Sequence, residues 1–337
     1  MKFATRRDGS RDGTLWVVRR DGCVGTPAPA PFDTLQRALD AWPRAAPVLE
    51  AVQAALEAGA VAGHPVDPAT LAAPLPRAYE WLDASAFLNH VVLARTARGA
   101  LPPEDLETNP LMYQGGSGAL AGPCEPFLLD DPSLGLDFEA ELGVILGDVP
   151  LGVSEDHALA CVRLVTLLND WTYRNLVPGE LAKGFGFLQA KPTTAFAPFV
   201  VTPDELGAYW NEGRPDLTVT CSLNGRRVGQ LSTRQMHFSF GALVAHAART
   251  RRLTAGTLLG SGTISQDDPH GGFACIAEQR ARALVAGGEL HAYLAAGDRV
   301  RIEAEAPGLP ALRLFGALDL HVTGPQTGPG TPPRAGA

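Results

Sequence analysis

The side chains best able to do chemistry in this 337-residue chain are carboxylates. Glu139 and Glu141 stand in Leu136-Asp137-Phe138-Glu139-Ala140-Glu141-Leu142-Gly143-Val144-Ile145-Leu146, which reads as a strand over Phe138 to Leu146. With a side-chain period of two, both glutamates project to one face while Phe138, Ala140 and Leu142 project to the other. Taken alone, the pair fits a solvated strand face. Inside an apolar domain, two adjacent carboxylates call for a cation or a shared proton. Two further acids favour the second reading: Asp83, in Trp81-Leu82-Asp83-Ala84-Ser85, and Asp170, in Leu167-Leu168-Asn169-Asp170-Trp171-Thr172-Tyr173-Arg174. Four carboxylates with no thiolate suit a hard divalent ion such as Mg²⁺, Mn²⁺ or Ca²⁺, and suit zinc poorly.

Elements must bring these acids together. The spacing predicts a helix over Asp156 to Leu168 that ends just before Asp170, a strand over Leu217 to Leu223 turning at Asn224-Gly225, a helix over Phe238 to Thr250, and late strands over 299–305 and 312–322. Upstream, residues 1–25 alternate apolar runs with Asp-Gly turns and read as hairpins. Leu35, Leu39, Trp42, Val48, Val52 and Leu56 then follow helical spacing, with Asp33 or Thr34 as N-cap, Gly59 as stop, and Pro43 and Pro47 dividing or kinking the stretch. A loop rich in Ala, Pro and Gly leads out of this part. We therefore divide the chain into a small N-terminal domain over 1–76, a catalytic domain over 77–323, and a disordered tail over 324–337 that has little to bury.

Composition narrows the class. Gly and Pro, 37 and 28 residues, are too frequent for a helical bundle and ordinary for short strands joined by turns. A formal net charge of −8 argues against a nucleic-acid surface. The five cysteines are widely spaced with no C-x-x-C pair, which reads as buried free thiols rather than a disulfide frame. With no apolar run of spanning length and no signal-like start, the expectation is a soluble, cytoplasmic protein without membrane contact. Neither His237 nor His270 has the spacing of a zinc-protease helix, and no Ser stands in a G-x-S-x-G elbow.

Five motifs, in order over residues 77–322, resemble the fumarylacetoacetate hydrolase family: Asp83 with His90, Glu139-x-Glu141, Asn169-Asp170 with Arg174, Lys183-Gly184-Phe185-Gly186, and Ser261-Gly262-Thr263-Ile264-Ser265 followed by Glu278. The N-terminal region is similar to the small β-rich domain of the longer members. The resemblance implies an α+β, β-rich fold, with a mixed β-roll catalytic domain that holds one divalent ion per subunit, and a homodimer. It makes Asp83, Glu139, Glu141 and Asp170 the metal ligands, while Asp137 matches no ligand position. His90 and Glu278 map onto the water-activating pair, Lys183 and Arg174 onto cations that stabilise developing negative charge, and Tyr113 and Thr263 onto substrate contacts.

The activity implied is hydrolysis of a carbon-carbon bond in a fumarylacetoacetate-like or acylpyruvate-like diketo acid, serving aromatic-compound breakdown. A decarboxylase, hydratase or tautomerase of a 2-oxo acid would use the same ion without needing His90 and Glu278 together. A non-catalytic metal-binding scaffold would have lost ligands or catalytic groups, and none is lost. Two positions depart from true fumarylacetoacetases: Val177 replaces a glutamine, and Phe187 replaces a threonine. Gln189 and Lys191 lie close enough in sequence to substitute for the missing polar groups.

Overall fold

The computed structural model describes residues 1–97 and 99–325, so the tail expected to be disordered lies, from residue 326 onward, outside the described residues. In chain order the first elements are β1 (Lys2–Arg6), β2 (Thr14–Val18), β3 (Val24–Pro27), α1 (Leu35–Asp40), α2 (Trp42–Glu57) and β4 (His64–Pro65). They are followed by β5 (Trp81–Ala84), α3 (Leu88–Thr96), β6 (Met112–Gly115), β7 (Phe127–Leu128), β8 (Leu136–Asp137), β9 (Ala140–Leu146), α4 (Glu155–Leu159), β10 (Val162–Asp170), β11 (Thr172–Tyr173) and α5 (Val177–Lys183). The remainder contains β12 (Thr194–Phe196), β13 (Val200–Val201), β14 (Thr218–Leu223), β15 (Arg226–Ser232), α6 (Phe240–Ala247), β16 (Leu258–Gly260), α7 (Ile276–Ala286), β17 (Arg299–Glu305) and β18 (Ala317–Thr323).

Two sheets dominate this α+β, β-rich architecture. The larger has the order β4-β3-β2-β1-β13-β10-β9-β16-β5-β6, with β12 also paired to β10. The smaller has the order β15-β14-β17-β18-β7. Neighbours are antiparallel except for β5 beside β16 and β7 beside β18. The main core joins β9 and β10 to the smaller sheet through residues such as Leu142, Val144, Val165, Val219 and Ile302, and a second core lies between the large sheet and α1 and α2. The N-terminal unit is continuous with the site-bearing sheet, because Lys2 and Phe3 of β1 pair with Val201 and Val200 of β13.

Local chemistry explains several boundaries. Thr34 caps α1 by accepting from the Arg37 amide, and Pro43 sits in the first turn of α2, where its missing N–H costs nothing. Asn224 and Gly225 both have positive φ, 51° and 78°, as a two-residue hairpin turn between β14 and β15 requires.

The expected helix over Asp156 to Leu168 is a correction. The helical part is only α4, and 162–170 is strand β10 between β9 and β12 with β13. Its apolar run is continuous because both faces are buried, which erases the alternation that marks a half-exposed strand, and Val162, Val165 and Thr166 then favour the extended form. The cysteine reading holds in part: all five are free, but only Cys221 and Cys275 are buried. No helix among the described residues is long and apolar enough to cross a membrane.

Candidate active site

Four segments converge on one cavity of about 350 Å³. Asp83 comes from β5 and Glu141 from β9, and the loop after β16 brings Thr263 to the same wall; Asp170, at the end of β10, is not on the lining itself but accepts from Tyr113 and Lys191, which are. Phe138 and Trp171, both fully buried beside the acids, anchor two of these segments in the core. Burying such an aromatic contributes about 2–3 kcal/mol, enough to hold charged neighbours in place. Gly260 leaves room where it is needed, since a Cβ there would stand 2.5 Å from Asp83 Oδ1 and 3.0 Å from Glu141 Oε2. Gly262, at φ +76°, turns its amide onto both acids, donating to Asp83 Oδ1 and Glu141 Oε2 at 3.2 Å each.

Asp83, Glu141 and Asp170 each offer an oxygen such that the three lie within 4.8 Å of one another, all buried. Burial, reinforced by Asp170, pushes the Asp83 carboxyl up to about 7, and burial with the Asp83 charge pushes Glu141 well above the carboxylate range. Glu141 Oε1 is buried with no hydrogen-bond partner. An all-oxygen set with excess negative charge and an unpaired buried oxygen fits a hard divalent cation.

Glu139, which the resemblance makes a fourth ligand, lies outside this triad. It lies at the break between β8 and β9, where Arg174 Nη2 donates to its Oε1 at 2.6 Å and Lys191 Nζ to its Oε2 at 2.5 Å. Burial alone would raise Glu139, but Arg174 and Lys191 outweigh it and hold the carboxyl below its ordinary range. Asp170 is fixed from three sides: Tyr113 Oη and Lys191 Nζ donate to Oδ2 at 2.5 and 2.6 Å, and Thr194 Oγ1 donates to Oδ1 at 2.7 Å.

The cation expected at Lys183 is not among those lining the cavity. Lys183 is exposed on the last turn of α5, whereas Lys191 is buried against Glu139 and Asp170. Burial works against the Lys191 charge, yet Asp170 and Glu139 outweigh it and raise its proton affinity. The sequence signal lies downstream of Lys191: β12 pairs Thr194 opposite Asp170, so a lysine three residues earlier falls beside that acid. Tyr113 and Arg174 line the cavity as expected, with the Tyr113 ring edge-on to Phe187 at 5.1 Å.

His90 on α3 and Glu278 on α7, 188 residues apart, meet with Nδ1 and Oε2 at 3.5 Å. Glu278 is held from behind: its Oε1 accepts from Ser265 Oγ at 3.0 Å and Arg282 Nη2 at 2.6 Å. That leaves Oε2 for the imidazole, an open contact of the kind that tightens when substrate binds. His90 also lines the cavity, together with Asp83 and Glu141.

Residues 81–321 match the family described as fumarylacetoacetate (FAA) hydrolase C-terminal, and residues 1–77 match fumarylacetoacetase N-terminal domain 2. Among individual proteins, the chain is 31% identical over 161 residues to 2,4-didehydro-3-deoxy-L-rhamnonate hydrolase of Sphingomonas sp. (strain SKA58), covering 47% of this chain and 54% of that protein. It is 28% identical over 158 residues to mitochondrial oxaloacetate tautomerase fahd2 of Xenopus laevis, covering 46% and 47%. The chain thus spans about half the length of the curated relatives it matches. In fold it is similar to maleylpyruvate hydrolase from Sphingobium sp. SYK-6, solved in complex with manganese (II) ion and pyruvate, with a TM-score of 0.64 at 18% identity over 97% of this chain and 100% of that one.

Proposed function

The chain belongs to the fumarylacetoacetate hydrolase family, and on that premise we propose that it is a divalent-metal-dependent hydrolase cleaving a carbon-carbon bond in an acylpyruvate-like or fumarylacetoacetate-like diketo acid. One observation carries the reading: His90, backed by Glu278, lines the same cavity as Asp83 and Glu141, whose oxygens lie within 4.8 Å of one of Asp170. Mg²⁺ or Mn²⁺ is the ion we assign to the triad, one per chain, with Glu139 held alongside it by Arg174 and Lys191. When bound there, the ion supplies Lewis-acid polarisation of the substrate's keto and enol oxygens.

The chain's own groups do the rest. Glu278 orients the imidazole of His90, which takes the proton of an attacking water. Lys191 and Arg174 face the cavity as cations and stabilise charge that develops on the leaving carbon fragment. Tyr113 holds Asp170, and Thr263 borders the substrate. The wall formed by Val177, Leu181 and Phe187 is apolar and suits the non-reacting acyl portion. That wall also favours a second reading, tautomerisation of a 2-oxo acid at the same centre, because it offers no polar group to place a water.

Product analysis separates the two. Incubation with Mg²⁺ and a panel of acylpyruvates, fumarylacetoacetate and oxaloacetate is expected to yield two shorter fragments from a diketo acid. An isomer or CO₂ as the only product would replace the hydrolytic assignment. His90→Ala is expected to lower kcat by about 10²–10⁴-fold, the usual contribution of a positioned general base. Full activity in that variant would remove the water-activating role.

A further inference from the structure

Asp137 is the acid of the carboxylate-rich segment that no ligand position claims, and the cavity does not touch it. It is fully buried on β8, opposite Thr172 of β11. Its Oδ2 accepts from Arg174 Nε at 2.8 Å and from the Ala277 amide at 2.9 Å, and its Oδ1 accepts from the Ile276 amide at 2.8 Å. Every partner is an N–H donor, so the acceptor-only carboxylate is the form that satisfies the set.

Each of these contacts leads into a different half of the site. Arg174 passes its other arm to Glu139 Oε1 at 2.6 Å, beside the triad. Ile276 and Ala277 open α7, and the next residue is Glu278, whose amide donates to the Cys275 Sγ cap at 3.4 Å. We propose that Asp137 is a positioning residue that ties the ligand half of the site to the base half: through Arg174 it sets Glu139, and through the first turn of α7 it sets Glu278 against His90. The inference rests on the hydrolytic metal reading above and adds to it the device that keeps the two halves in register. Contacts of this indirect kind act by orientation, and losing one typically weakens metal affinity or activity by about 10–100-fold.

The test is calorimetric titration of Mn²⁺ into wild type and Asp137→Asn, with kcat on the preferred diketo acid and thermal unfolding measured in parallel. Asparagine keeps one acceptor for the α7 amides, turns an NH2 toward the remaining donors and removes the charge that faces Arg174. The expected result is Mn²⁺ binding about 10–100-fold weaker and a kcat loss of the same order, the latter shrinking in a His90→Ala background because the pair set through α7 is gone while the arm through Arg174 remains. A purely structural role would lower the unfolding temperature while the folded variant kept its Mn²⁺ affinity and kcat, and values within twofold of wild type would overturn the proposal. Should Asp137→Asn fail to fold, Asp137→Ser offers a smaller acceptor to the helix amides and is read in the same way. A wild type that binds no Mn²⁺ defeats the metal reading instead, and Asp137 is then judged on kcat and its dependence on His90.

Discussion

The chain has only three lysines, and two of them have buried side chains in opposite electrostatic settings, Lys2 on β1 and Lys191 just before β12. Lys2 on β1 donates Nζ to the Arg20 and Leu312 carbonyls at 2.9 and 2.8 Å and lies over the Phe199 ring, with no carboxylate in ion-pair range among the described residues. Lys191 lies between Glu139 and Asp170. Burial lowers Lys2 to about 7, with Glu205 opposing only in part, whereas the acids around Lys191 overcome burial and raise it. Desolvation disfavours both charges, so the difference lies in the neighbours. The N-terminal unit satisfies an ammonium with carbonyl dipoles, while the candidate site has an excess of carboxylates that holds the Lys191 ammonium and the Arg174 guanidinium.

The largest effect expected from breaking this comparison is at Lys191. Lys191→Met leaves Glu139 with Arg174 alone and removes one of three donors from Asp170. Losing one partner of a buried pair costs about 3–5 kcal/mol. Losing a cation that faces developing charge costs about 10²–10³ in kcat. Urea unfolding without metal should therefore show a strongly destabilised variant, and Mn²⁺ should recover part of the loss by binding the folded form. Lys183→Met, on the exposed turn of α5, should stay within twofold of wild type in kcat. If Lys183→Met were the damaging change and Lys191→Met the silent one, the assignment of the site cation would be reversed.

The same contrast shows what could be read from sequence. Asp83, Glu141, Tyr113, Thr263 and His90, named by motif order, line one cavity, and Asp170 and Glu278 touch residues on that lining, because each lies in or beside an element whose pairing leaves little freedom. The hairpin turn at Asn224-Gly225 and the Thr34 cap were legible because a single residue's backbone or hydroxyl decides them. Lys191 was legible only as a stand-in for missing polar groups, since the Lys-Gly-Phe-Gly motif pointed to Lys183, and only the β10–β12 register reveals which lysine reaches Asp170. Glu139 lines the same cavity but is paired with Arg174 and Lys191, a balance of charges that alternation along a strand does not contain. Strand β10 was misread because burial on both faces leaves no periodicity to distinguish it from a helix.

A smaller effect sharpens the other side of the comparison. Because the folded pKa of Lys2, about 7, lies below its ordinary value of 10.5, the native state binds fewer protons than the unfolded chain between those limits. Stability must then rise with pH across that window, and the contribution is lost as pH falls toward 7 and stays lost below it. The slope from one such group is at most about 1.4 kcal/mol per pH unit. Other groups titrate in the same range, so the measurement is a difference: urea-unfolding free energies of wild type and Lys2→Met from pH 6 to pH 10. Wild type should gain on the variant steadily above pH 7 and run parallel to it below. Glu205, Asp21 and Glu57 raise the lysine and Arg313 lowers it, so Glu205→Gln should extend the rising limb to lower pH. Parallel curves throughout would mean that the two carbonyls and the Phe199 ring keep Lys2 charged at no cost, and that the two buried lysines are electrostatically alike after all.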